Sequence, residues 1–287
     1  MIRSATSCRE PLDIQPPGER YSSLSVAPID DIRSKVERAG EHVADLKSEI
    51  GRFFATEPYA RAIKDDPQTG ERVCYLSVCK DVPLRVSIIA GDAIHNIRSA
   101  LDYLAYQLVR VGSGSPGPFA NVYFPISESA LELEDAIQRK LKGARPEAKD
   151  AIRAVKPYKG GNWPLWHLHR LNIIDKHRLL VAAGNTGFRN MGPQDLEMMR
   201  KIWTGSHGSE PFPLTGGEWM ALKGFPLKAG DELVRGRTDT EISYQYRIHF
   251  QVAFNEPGVI QRQPVLETIE GMAKVVDNII SDFASML

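Results

Sequence analysis

Cysteine is scarce in this sequence: Cys8, Cys74 and Cys79 are the only three in 287 residues, and no two have CxxC spacing. An odd count without a framework fits a reducing compartment. Net charge is absent as well, since Lys+Arg and Asp+Glu are equal at 36 each. That balance argues against a broad electrostatic footprint for duplex nucleic acid or an anionic membrane, and it leaves room for a local basic patch. No apolar run approaches the roughly 18 residues of a membrane span, and residues 1–15 lack the apolar stretch of a secretory signal. A cytoplasmic protein is expected. Walker A, Gly-x-Gly-x-x-Gly, His-Glu-x-x-His and Gly-x-Ser-x-Gly patterns are all missing, so the nucleotide, zinc and serine-nucleophile chemistries they support are not expected.

What is present is an ordinary globular composition, 42% apolar and 25% charged, which excludes wholesale disorder. An α+β protein is expected, a long-helix bundle packed with a mostly antiparallel C-terminal sheet. Residues 1–27, rich in Ser, Pro and charge, form an extended arm. A single domain follows over 28–287: a helical part over about 28–180, a sheet-rich part over about 181–262, and a closing helix over 264–286. Ile29, Ile32, Val36, Ala39, Val43, Leu46, Ile50 and Phe53 recur in steps of three and four, the seam of a long packing helix. A hairpin turns at Asp65-Asp66-Pro67-Gln68-Thr69-Gly70 into a strand over Arg72–Cys79. On a regular strand Cys74 and Cys79 would point to opposite faces. Helices are predicted at Leu84–Val111, Ala130–Leu141, Pro146–Val155 and Trp163–Lys176. Short strands are predicted at Trp219–Lys223 and Glu232–Arg237. The strict alternation of Ile242–Phe254 marks a half-buried antiparallel strand.

Two helical segments carry dense polar inserts. At about 100° per residue, Ala93, Ile97, Ala100, Leu101, Leu104 and Leu108 fall on one face of the Asp92–Arg110 segment. Asp92, His95, Asn96, Ser99, Asp102, Tyr103, Tyr106 and Gln107 fall on the other. An exposed helix face normally carries Lys and Glu; this one has neither, and its groups have specific hydrogen-bonding geometry. Such a face calls for a partner surface or a cleft. Arg98 sits at the boundary one turn before Asp102, where the two can pair. In the second insert, Leu165, Leu168, Leu171 and Ile174 form the buried stripe, with His169, Asn172 and Lys176 on one face and Asp175 beside it. Lys176, His177 and Arg178 suit the negative end of the helix dipole. His95, Asp102, His167, His169, Asp175 and His177 form a ligand pool for a metal hydrolase, but their spacing is poor. No metal and no cofactor is expected.

The run Gly91-Asp92-Ala93-Ile94-His95-Asn96-Ile97-Arg98-Ser99-Ala100-Leu101-Asp102-Tyr103-Leu104, with Asn172-x-x-Asp175-Lys176-His177-Arg178 downstream, resembles a group of uncharacterised bacterial proteins. Phe124-Pro125-Ile126 and Lys156-Pro157-Tyr158 belong to the same likeness, which covers about residues 80–180 and carries no established activity. A remoter similarity is to the HEPN class of helical, metal-independent ribonucleases, whose motif is an Arg followed after four to six residues by a His. Arg170 and His177 fit it. The resemblance implies that Arg170 would steady a phosphate and His177 would move a proton to or from a ribose 2′-hydroxyl.

Three readings follow. The first is a binding or interaction module, with His95, Asn96, Arg98, Asp102, Asn172, Asp175, Lys176 and Arg178 as the polar helix–helix site. The second is a HEPN-like ribonuclease or nucleic-acid-directed stress or defence factor using Arg170 and His177. The third is a metal hydrolase. The partner is open among RNA, another protein and a second copy of the chain, and no membrane is expected.

Overall fold

The computed structural model describes residues 28–188, 220–221, 225–237 and 248–287. The arm expected over 1–27, residues 242–247 of the strand expected from Ile242, and most of the Trp219–Lys223 segment lie outside the described residues. Helix α1 (Pro28–Ala55) opens on Pro28 and the acidic pair Asp30–Asp31, which suit the positive end of a helix dipole. Ile32, Ala39, Leu46 and Phe53 are its buried residues, at heptad spacing. That seam packs along α2 (Leu84–Ser113). Between the two helices run β1 (Tyr59–Asp66) and β2 (Glu71–Cys79), joined by a turn in which Gly70 takes φ +67°, a conformation costly for residues with a Cβ.

After α2 come the short helices α3 (Ala130–Lys140) and α4 (Pro146–Val155), then α5 (Trp163–His177). Ser129 caps α3 by accepting the Glu132 N–H, and Asn162 caps α5 by accepting the Leu165 N–H. The chain closes with α6 (Val265–Phe283) and a short 3₁₀ turn over Ala284–Met286. Helix α2 is central and packs against α1, α5 and α6. Its buried small residues Ala90, Gly91, Ala93, Ala100 and Ala105 allow close approach on several sides. One apolar core runs through these helices and takes in Val252 and Phe254 from the sheet.

The fold is α+β, and its strands form two sheets where one was expected. Strand β5 (Glu232–Arg237) pairs antiparallel with β2 of the hairpin, giving the order β1-β2-β5. The second sheet has the order β4-β3-β6-β7 and is also antiparallel, with β3 (Ala182–Phe188), β4 (Met220–Ala221), β6 (Ile248–Glu256) and β7 (Ile260–Pro264). The division follows from a separate small core in which Cys74, Leu76, Leu227 and Leu233 bury one another beside the hairpin.

The expectation for the two cysteines is also corrected. Tyr59 faces Cys79 and Ala60 faces Val78, but Arg61 faces Leu76, so Ser77 has no opposite residue. This bulge shifts the alternation by one and turns Cys79 to the side of Cys74 and Leu76. Both thiols are free, and Cys79 packs against the same small core. On β6 the alternation also fails at one position. Ala253, expected on the open face, is buried with Val252 and Phe254; it is small and flanked in register by Ala183 and Pro264.

Candidate functional site

The polar residues of α2 and α5 do not form one network. They divide into a closed set, a helix-crossing set, a strap and an open cavity. In the closed set, Arg98 is buried, Nη1 donates to Asp102 Oδ1 at 2.7 Å, and Nη2 donates to the Phe124 carbonyl at 2.9 Å. The Phe124 N–H donates to the same Asp102 oxygen at 2.9 Å. Burial pulls the Arg98 pKa down, and Asp102 opposes that pull. One ion pair therefore clamps both polar groups of the Phe124 backbone and fixes the Phe124-Pro125-Ile126 segment against α2.

That segment is tied in turn to Lys156-Pro157-Tyr158. The Ser127 N–H donates to the Pro157 carbonyl at 3.1 Å, and the Lys159 N–H donates back to the Ser127 carbonyl at 3.2 Å, a parallel bridge between Ser127 and Tyr158. Segments far apart in the chain are thus brought together on α2 by backbone hydrogen bonds.

At the crossing of α2 and α5, Gly91 is buried and a Cβ there would collide with the Asp175 carboxylate. A side chain at position 91 would have to displace that carboxylate. Burial raises the Asp175 pKa, as does the Asp92 carboxylate, while His95 opposes them. Asn96 donates to the Asp92 carbonyl within its own helix at 2.9 Å. Asn172 is buried, whereas His95 and Lys176 are exposed.

The end of α5 is explained by more than the dipole. Arg178, the residue after the helix, donates to both oxygens of Glu256 at 3.1 and 2.6 Å. Glu256 is 1% exposed and also accepts the Val181 N–H at 2.7 Å. The pair straps the exit of α5 to β6. His177 is the last residue of the helix and is exposed. Arg170 lies two turns earlier with Nη1 at 3.6 Å from Glu128 Oε1, and Trp166 Nε1 donates to Glu128 Oε2 at 3.1 Å.

The open element is a cavity of about 370 Å³ between α3, residues 126–128 and α5. Its inner wall holds buried Ile126 and Ala136 with half-buried Lys140 and His169; exposed Glu132 and Asp135 stand at its edge. The His169 pKa is pushed down to about 3, first by burial and then by the cations Arg98, Lys140, Arg170 and Lys176. The ring is neutral at ordinary pH, and its Nδ1 is buried without a hydrogen bond among the described residues. The Lys140 pKa is lowered by burial and by Arg98, with Asp102 opposing. Ser127 Oγ donates to the Ser129 carbonyl at 2.9 Å and so is not turned to His169.

The α3 contribution had no signal in the sequence, where the helix expected over Ala130–Leu141 carried no candidate site residue. Among the described residues no group of three or more His, Cys, Asp or Glu side chains is placed to hold a metal ion. No helix of these residues is long and apolar enough to cross a membrane. No protein-family model, curated protein or solved structure matches the chain.

Proposed function

We propose that the protein is a binding module and that its site is the cavity between α3 and α5. The observation that carries this reading is a contrast in hydrogen bonding. Arg98 and Asp102 are committed to the Phe124 backbone, and Arg178 to Glu256, so these polar groups serve the fold. Lys140 and His169 line an open space instead, and the Lys140 ammonium makes no hydrogen bond or ion pair with a described residue. A concave site with a few convergent polar groups and perturbed protonation is where ligands bind. A serine nucleophile is not supported, because Ser127 is engaged with backbone.

The test is a thermal-shift screen of the full chain against a broad library of small polar metabolites, repeated with Lys140→Gln. At least one compound is expected to raise Tm in the wild type and to lose that effect in the variant. A library without a hit, or hits that persist unchanged in Lys140→Gln, would overturn the reading.

A second reading, the HEPN-like ribonuclease, is supported by the seven-residue interval between Arg170 and His177. That interval puts both on one side of α5, with His177 exposed. Incubation with total RNA decides it: cleavage by the wild type that is lost in both Arg170→Ala and His177→Ala would replace the binding reading.

A further inference from the structure

The cavity is electrically two-ended. Its inner wall presents the half-buried Lys140 ammonium and the His169 ring, and Arg98 adds positive potential at both groups, offset in part at Lys140 by its partner Asp102. The edge is acidic. Of the three carboxylates there, Glu128 is occupied by Trp166 and Arg170. Glu132 accepts the Glu128 N–H at 3.3 Å through Oε2. Asp135 is exposed, and Arg139 Nε meets its backbone carbonyl at 3.3 Å, not its carboxylate.

These charges restrict what fits. A bare anion drawn to Lys140 must pass and remain beside two carboxylates. A bare amine held at the edge faces Lys140 across the cavity. Like charges repel and opposite charges attract more strongly in a partly desolvated site than in water. Only a molecule carrying both signs, negative inward and positive outward, is favoured at both ends. A volume of about 370 Å³ lies near the lower end of ligand pockets, roughly 300–1,000 Å³, and suits a molecule of a few heavy atoms more than a nucleotide.

Resting on the binding reading above, we infer that the ligand is a small zwitterion. Its anionic head, carboxylate or phosphate, sits beside Lys140 and His169, and its ammonium group meets Glu132 and Asp135.

Calorimetric titration of the full chain tests this with γ-aminobutyrate and phosphoethanolamine as zwitterions, butyrate and inorganic phosphate as matched anions, and butylamine as the matched cation. At least one zwitterion is expected to bind ten-fold or more tightly than its matched anion and than butylamine, and which one does so distinguishes a carboxylate from a phosphate head. Lys140→Gln should weaken that zwitterion about ten-fold or more. Asp135→Asn, a change at an exposed side chain, should erase its advantage over the matched anion while leaving anion binding intact. Anions that bind as well as zwitterions would overturn the inference, as would an unchanged preference in Asp135→Asn. If none of these probes binds but the library screen yields Lys140-dependent hits, the zwitterion inference fails and the binding reading stands; a screen without hits removes both.

Discussion

Arg98 and His169 are both nitrogen-rich side chains set into the interior around α2 and α5, and they feel each other electrostatically, yet they are treated in opposite ways. Arg98 is enclosed and matched: one carboxylate and one carbonyl take its two terminal nitrogens. His169 keeps a buried nitrogen without a partner among the described residues, beside open space. Desolvation is common to both. Arg98 meets it with an ion pair that also holds a loop, whereas His169 meets it by staying neutral. A polar group closed by its neighbours holds the fold. One left open next to a cavity is available to something else.

The largest effect should come from breaking the closed set. Asp102→Ala leaves the Arg98 charge buried without its counter-ion and the Phe124 N–H without its acceptor, so a loss of about 3–5 kcal/mol is expected in urea unfolding. A loss below about 1 kcal/mol would mean that water reaches Arg98 and that the contrast with His169 is one of degree.

The open set should show itself through pH. The folded His169 pKa is about 3 against an ordinary 6.5, so between these values the unfolded chain binds more protons and stability falls as the pH is lowered. His169→Gln should flatten that part of the stability curve, by roughly 3 kcal/mol at its acid end; the full shift is discounted because the ring is partly open to solvent. Parallel curves for wild type and variant would place His169 among the ordinary surface histidines.

The smallest effect concerns the crossing between these regions. Gly91→Ala drives a methyl group into the Asp175 carboxylate and should cost about 2 kcal/mol. In an Asp175→Ala background the same change should be neutral or stabilising, because alanine is the better helix former by about 1 kcal/mol. Equal costs in both backgrounds would show that Gly91 is required by something other than Asp175.

Much of the helical frame was legible because periodicity reports burial directly. The seam of α1 and the extents of α4 and α5 follow from residue spacing and from Pro, Asn and Gly at the ends. The Arg98–Asp102 pairing was legible for the same reason, being a one-turn interval on one helix. Other features were not. A bulge at Ser77 brings Cys79 to the face of Cys74, and nothing in the local sequence marks it. Asn172, read as part of a polar face, is buried because α5 packs on more than one side. Arg178 reads as a dipole-compensating cation, but its partner Glu256 lies 78 residues away.

The sequence by itself determined the helices and the polar character of one face of α2. Only the tertiary structure decided which of those groups are closed and which remain open. Lys140 on α3, Ser127 on the intervening segment and His169 on α5 have no periodic relation to one another. They share a wall because Arg98 and Asp102 hold Phe124 in place and the Ser127–Tyr158 bridge holds the loop beside it. Spacing along a chain records which face a residue occupies, whereas a cavity depends on how faces from separate elements are brought together by long-range contacts.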